Sequence, residues 1–432
     1  MDFCRRNNLE NTINNACAWV EVDLDAVAEN LETVRSLVGP ATKVCAVIKA
    51  DAYGHGVVEV ARLLQDRNVD YMAVAVLDEA VELRQMGIRK PILILGPLMP
   101  GQAPYVLRYD LTQTICSVEM AEELSREAIR QRKIAKIHVK IDTGMGRLGV
   151  FHREAPQFIN NIKQLPGIEL EGLFTHFATS DSIDKSYLYE QWESFNQVIQ
   201  DVKAMGIHIP ITHCATSATI IDLPFMKLDM VRPGLMLFGL YPREDMKGKV
   251  DLKPALTLKA RISFLKEIHQ ERSISYGRKY TARPGQKIAT LPMGYYDGYR
   301  RLFTNQGKVL AGGVPCPVVG AVCMDHVMVD VTQVPGVRRF DEVVIIGAQG
   351  DHRITVNDLA ETLSTINYEV LAALGRRLPR IFHRKGHVVG VRNLAGYHSD
   401  QVAFTTFETP IPGAKSARDT DTMEMEVSGL SG

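Results

Sequence analysis

Beginning at Lys43, short β-rich apolar runs alternate with amphipathic stretches, and this alternation constrains the fold more than any other feature of the chain. The runs are Val44–Lys49, Tyr71–Val76, Pro91–Gly96, Leu111–Ser117, Lys136–Asp142, Ile168–His176, Pro210–Ala215 and Leu228–Arg232. Between most of them lie segments such as Ser117–Arg132 and Ser186–Met205, with apolar residues three and four apart, as a helix with one buried face requires. Eight strand–helix units within roughly 190–250 residues predict a (β/α)8 barrel rather than an open sheet. The weakest connection follows the third run, where Pro97 and Pro100 leave no long helix evident.

After Tyr241-Pro242 the texture changes. Residues from about 253 to 347 form strand-like runs broken by Gly and Pro, as in Gly312-Gly313-Val314-Pro315, and only Val356–Thr365 returns to a helical pattern. The expected fold class is α/β: a barrel followed by a C-terminal, mainly β domain. The expected division is an N-terminal extension (1–17), the barrel (18–242), the β domain (243–396) and a polar, disordered tail (397–432). Ala18–Val22 is strand-like and suits either the barrel or the later sheet.

Composition narrows the partners. Lys+Arg and Asp+Glu are both 50, so the formal charge is zero, whereas nucleic acid and anionic membranes select a basic surplus. No apolar run approaches the ~18 residues of a membrane span, and Met1–Ala18 holds no signal-peptide core. The 7 cysteines stand singly with no C-x-x-C pair, which reads as reduced thiols in a cytoplasm, and no metal site is expected.

The chemistry concentrates at predicted strand ends. Lys49 follows the first apolar run, where barrel enzymes keep their active sites. On an apolar floor its ammonium pKa falls, which suits covalent attachment of a carbonyl, although a strand-end lysine also commonly snorkels to solvent. Barrels often bind phosphate at the loops after strands seven and eight. Those loops read His213-Cys214-Ala215-Thr216-Ser217 and Val231-Arg232-Pro233-Gly234-Leu235: a hydroxyl, and a glycine that lets backbone N–H groups approach. Gly144-Met145-Gly146-Arg147-Leu148-Gly149 is formally a dinucleotide fingerprint, but four strand–helix units precede it and extended chain follows, which argues against that use.

Taken together, Ala46-Val47-Ile48-Lys49-Ala50-Asp51-Ala52-Tyr53-Gly54-His55-Gly56 resembles the cofactor-lysine signature of the alanine racemases, and the resemblance continues through both domains to about residue 390. It implies pyridoxal 5'-phosphate as cofactor, carried on Lys49, with the phosphate held by Tyr53, Ser217, Gly234, Leu235 and Tyr368. Arg232 would face the pyridine nitrogen, and Arg147 the phenolic oxygen and the substrate carboxylate. Lys140 matches a lysine often carbamylated in the family, a change that would turn a cation into an anion and orient Arg147. Racemisation needs a second acid–base group opposite the lysine. Ile274-Ser275-Tyr276-Gly277-Arg278 matches the segment bearing it, so Tyr276 would be that group, in contact with His176, which meets Arg232. In Val322-Cys323-Met324-Asp325, Met324 and Asp325 would reach across a dimer interface to the partner's substrate, with Tyr295 at the entrance.

The match departs from the family at Thr216, where Asn is common, at Ala321, where a basic residue is usual, and at Tyr296 and Arg300, where smaller residues are common. These leave the loop after strand seven and the access route open. The resulting expectation is a cytoplasmic, head-to-tail homodimeric isomerase. It would interconvert L-alanine and D-alanine with two bases and so supply D-alanine. A serine or broad-specificity racemase is the alternative, followed by a related decarboxylase of basic amino acids. Tyr368 narrows the pocket and favours a small substrate. A non-catalytic pyridoxal-phosphate carrier would share the barrel but lack a long second domain with Tyr276 and Met324.

Overall fold

The computed structural model describes residues 15–399 and 402–405. The chain opens with strand β1 (Ala18–Asp23), which pairs antiparallel with Leu256–Arg261 and parallel with Arg380–Arg384. It therefore lies in the later sheet and not in the barrel. Asp23 ends the strand and caps the next helix, Leu24–Val38: its Oδ1 accepts from the N–H groups of Asp25 and Ala26 at 2.9 and 3.0 Å. That helix buries Asn30, whose amide donates to the Leu237 and Lys253 carbonyls at 3.1 and 2.8 Å and so ties the helix to the barrel's end.

The eight expected barrel strands are all present: β2 (Lys43–Val47), β3 (Tyr71–Val74), β4 (Ile92–Pro97), β5 (Thr112–Ile115), β6 (Ala135–Asp142), β7 (Ile168–Phe174), β8 (Ile211–His213) and β9 (Met230–Val231). They run parallel in the order β9-β2-β3-β4-β5-β6-β7-β8. The ring closes between β8 and β9 through Asp229 N–H to the Thr212 carbonyl, 3.1 Å, and Arg232 N–H to the Ala215 carbonyl, 2.9 Å. The connection after β4 carries only a six-residue helix, Ala103–Arg108, as its prolines predict. Most buried apolar residues of the barrel and of the second unit form one continuous core, with two small separate clusters in the second unit.

The second unit is mainly β. Besides the ten-stranded sheet that includes β1, it holds a three-stranded sheet of Phe264–Glu267, Lys287–Leu291 and Val327–Asp330. The expected disorder of the tail needs correction at its start. Gly396–Ser399 pairs with His387–Asn393, and Val402–Thr405 pairs with it in turn, extending the sheet edge. The alternating Val402-Ala403-Phe404-Thr405 supplies the strand propensity that the polar neighbours mask. The rest of the tail and residues 1–14 of the extension lie outside the described residues.

The junction after β2 sets the site. Ala50, Asp51, Ala52 and Tyr53 have φ of 54, 55, 54 and 53°, one left-handed turn built from non-glycine residues. Each L-residue held there costs about 1–2 kcal/mol, so neighbours must impose it. Glu79 accepts from the Ala50 N–H at 2.6 Å, and Asp51 Oδ1 from the Val57 N–H at 2.8 Å. Arg392, from the second unit, pairs with Asp51 and also with Glu82 at 2.9 Å, while Arg380 donates to the Gly54 carbonyl at 3.1 Å. Gly54 continues the turn at φ 79°, and a Cβ there would lie 2.3 Å from the Leu371 carbonyl oxygen. Gly54→Ala should therefore lower unfolding free energy by about 3 kcal/mol or more, a backbone strain plus a backbone clash, measured by urea denaturation. A loss below ~1 kcal/mol would mean the turn relaxes freely.

Candidate active site

A cavity of about 550 Å³ opens at the C-terminal ends of the barrel strands. Ten of the residues singled out in the sequence line it: Lys49, Tyr53, Lys140, Arg147, His176, Ser217, Arg232, Gly234, Leu235 and Tyr368. Thr216 and Asp181 also face it. Tyr368 is delivered by the second unit, on a short helix, Asn367–Ala372. That helix is held to the barrel by the Asn367 amide donating to the Tyr241 carbonyl at 3.1 Å. Tyr276, Met324 and Asp325 do not line the cavity. Tyr276 is 71% and Met324 51% exposed on the second unit.

Each element delivers its side chain for a local reason. In β6, His138, Lys140 and Asp142 share one face at alternating positions. Asp142 Oδ1 then accepts from the N–H groups of Gly144 and Gly146, both at 3.0 Å, which folds back the loop bearing Arg147. Val150–Phe151 rejoins β6 as a short strand, and the helix starts only at Ala155. The geometry is not that of a dinucleotide turn. Across the cavity, Ser217 Oγ accepts from the N–H groups of Gly234 at 3.1 Å and Met236 at 3.3 Å, joining the loops after β8 and β9. A Cβ on residue 234 would sit 2.5 Å from the Tyr53 hydroxyl, so only glycine lets that phenol reach this backbone.

The charge balance is lopsided. Lys49, Lys140, Arg147 and Arg232 meet one lining carboxylate, Asp181. Burial lowers the Lys49 ammonium pKa, Arg147 lowers it further, and Glu79 opposes. Lys140 is only 4% exposed, and burial with Arg147 and Arg232 brings it to about 8. Burial and then Arg232 push His176 well below its usual range, so its imidazole is neutral. Tyr53 and Tyr368 are raised by burial and stay protonated donors.

Arg232 is buried with neutral partners. Its Nη2 donates to the Thr175 carbonyl at 2.8 Å and lies 3.5 Å from His176 Nδ1, and its guanidinium stands 5.2 Å over Phe174. Burial lowers its pKa to about 10, still high enough to keep the charge at neutrality. Its Nη1 meets His213 Nδ1 at 2.8 Å. Because a guanidinium only donates, that nitrogen must accept, and the ring's proton sits on Nε2. His213 Nε2 then donates to His138 Nδ1 at 2.8 Å, and His138 Nε2 to Glu171 at 3.2 Å. One donor chain thus runs from the cavity floor to a carboxylate deep in the barrel.

Sequence reasoning missed this chain. The available signal was the face shared by His138 and Lys140 and the position of His213 in the loop already flagged. Phe174, beneath both Lys140 and Arg232, was read only as strand.

The Lys140 environment has a measurable consequence. Its ordinary value is 10.5 and its folded value about 8, so the burial penalty is complete below pH 8 and gone above 10.5. Between these limits the unfolded chain binds more protons, and stability gains with rising pH. Subtracting the unfolding free energies of Lys140→Met from those of the unaltered chain should leave a difference that climbs across this window. A flat difference would show that the Lys140 amine is not depressed.

With this geometry established, known proteins supply the comparison. The chain matches the family "Alanine racemase, N-terminal domain" over residues 22–242 and "Alanine racemase, C-terminal domain" over residues 255–382. The alanine racemase of Halothermothrix orenii is 47% identical over 367 residues, covering 85% of this chain and 97% of that one. Among solved structures, the alanine racemase of Clostridium difficile 630 superposes with a TM-score of 0.85 at 40% identity, covering 88% of this chain and 99% of that one. The alanine racemase of Bacillus anthracis with bound L-Ala-P gives 0.83 at 35%, covering 88% and 98%. Two adjoining family matches, high identity over nearly the full length of relatives and the same two-unit fold agree: this chain belongs to the alanine racemase family, a family of isomerases.

Proposed function

We propose that alanine racemisation by this family member runs on two bases, Lys49 of one chain and Tyr276 of a second copy, around a pyridoxal 5'-phosphate cofactor. The observation that carries this reading is the convergence on one cavity of a depressed lysine, a buried arginine without a carboxylate partner, and the hydroxyls of Ser217, Tyr53 and Tyr368 beside Gly234. The residues present fit that cofactor. Ser217, the backbone of Gly234 and Leu235, and the protonated phenols of Tyr53 and Tyr368 suit a phosphate. The absence of a Cβ at residue 234 leaves the Tyr53 hydroxyl its approach. Arg232 offers only donors, which suits an unprotonated ring nitrogen. When bound, the cofactor supplies the electron sink that makes the substrate Cα–H acidic.

The remaining steps belong to the chain. Lys49 Nζ, with its lowered pKa, exchanges a proton with one face of Cα. Tyr276 exchanges it on the other, Lys49 serving D-alanine and Tyr276 serving L-alanine. Arg147 orients the substrate carboxylate. Lys140, with a neutral fraction near pH 8, is suited to carbamylation by dissolved carbon dioxide with release of one proton, and the resulting anion would balance Arg147. Arg232, unable to give up its proton, limits how long Cα stays deprotonated, so reprotonation outruns transamination.

The exposure of Tyr276 and Met324 away from their own chain's cavity supports a homodimer as the working form. Each copy then completes the other's site, with Met324 and Asp325 at the substrate. We place the boundary between the units after residue 242, as the sequence does, with β1 exchanged into the second sheet and that sheet continuing past residue 396 through Val402–Thr405. Among the described residues no helix is long and apolar enough to cross a membrane, and we propose a cytoplasmic site of action.

Borohydride reduction of the cofactor-loaded protein should fix pyridoxyl mass on the peptide containing Lys49, and Lys49→Ala should lose racemisation in both directions. Label on another lysine would sink the assignment. Turnover of a panel of L-amino acids separates alanine from serine, and a carrier would take up cofactor with no turnover at all.

A further inference from the structure

Outside the cavity, one guanidinium ties together two segments that the mechanism leaves unexplained. Arg377 donates to both oxygens of Asp297, from Nε at 2.8 Å and Nη2 at 2.7 Å, and from Nη1 to Asp325 at 2.6 Å. Its face stands 4.8 Å over the Tyr296 ring. Asp297 is only 1% exposed, and it also accepts from the Gly294 N–H at 3.0 Å, closing the turn that carries Tyr295 and Tyr296. Backbone bonds also sew that turn to the next segment: Tyr295 N–H to the Cys323 carbonyl at 3.0 Å and Tyr296 N–H to the Met324 carbonyl at 3.2 Å. A Cβ on residue 294 would fall 2.2 Å from the Cys323 oxygen, so the two strands of chain touch without a gap.

We propose that Arg377 is a positioning residue for substrate binding. It locks the Gly294–Gly298 turn and the Cys323–Asp325 loop into one rigid edge, so that Met324 and Asp325 enter the neighbouring copy's cavity already ordered. Half of the Asp325 side chain is exposed and Met324 is more exposed still, so neither is fixed by burial in its own chain. Only a planar fork can satisfy a buried carboxylate with two bonds, hold a second carboxylate with a third N–H and stack on a ring at once. Tyr296 completes the lock by fixing the plane of the fork.

This inference rests on the shared-site reading, and its test separates the two. Arg377→Lys keeps the charge and loses the fork. The KM for L-alanine should rise about tenfold, the cost of ordering two loosened side chains on binding, with kcat changed by less than about threefold. Tyr296→Phe, which keeps the ring face, should leave KM unchanged, and Tyr296→Ala should raise it less than Arg377→Lys does. A doubly tagged heterodimer of Arg377→Lys and Lys49→Ala chains carries its one working Lys49 opposite an intact Arg377, so its KM should return to the unaltered value. A lowered melting temperature with unchanged KM in Arg377→Lys would overturn the proposal and leave Arg377 a structural tie. A KM raised equally in the heterodimer would overturn it too, by placing the effect within one chain. A monomer by light scattering at assay concentration would remove the shared site itself.

Discussion

A left-handed turn directly after Lys49 is the constraint around which the site is organised. Ala50 to Tyr53 sit where L-residues are penalised, and the turn aims Lys49 and Tyr53 at the same cavity. It cannot hold itself. Glu79 grips its start from within the barrel, while Arg392 and Arg380 grip its middle and end from the second unit's sheet. The second unit is therefore part of the active-site scaffold before it contributes any residue to chemistry. The path of β1, which leaves the later sheet to begin the barrel's first helix, fastens the same two bodies from the other side.

The second organising feature is uncompensated positive charge. Buried cations normally find carboxylates, because an unpaired charge in low dielectric is expensive. Here Arg232 instead meets imidazole and carbonyls, and its negative counterpart, Glu171, lies two histidines away. That arrangement leaves the cavity floor electropositive, while the tautomers of His213 and His138 are fixed by the donor-only guanidinium. Burial first, and then the same field, depresses Lys49, Lys140 and His176.

Much of this is legible in the sequence. The barrel was visible because a parallel strand buried on both faces must be an apolar run and its crossover helix must be amphipathic, so period alone marks both. Of the ten cavity residues, Lys49, Ser217 and Gly234 were visible because their motifs end predicted strands, while others, such as Lys140, His176 and Tyr368, were reached through the family resemblance. What stayed hidden depends on pairing across the chain. His138 reads as an ordinary strand residue until β6 and β8 close on a common interior, and nothing local marks Arg377 or Arg392, whose carboxylate partners arrive from distant segments. The start of the tail was misread as disordered because a single edge strand carries little hydrophobic signal. Tyr276 and Met324 were assigned to the site by resemblance alone, and one chain leaves them exposed, which is intelligible once the site is taken to need two.

The central claim is that each site draws one base from each of two chains, and complementation tests it most directly. Lys49→Ala and Tyr276→Phe proteins should each be nearly inactive. Mixed in equal amounts and allowed to exchange subunits, about half the dimers become hybrids, each with one doubly lesioned site and one intact site, so activity should recover to roughly a quarter of the unaltered protein. If both bases came from one chain, every site in the mixture would carry a lesion. No recovery, with subunit exchange demonstrated, would contradict the account.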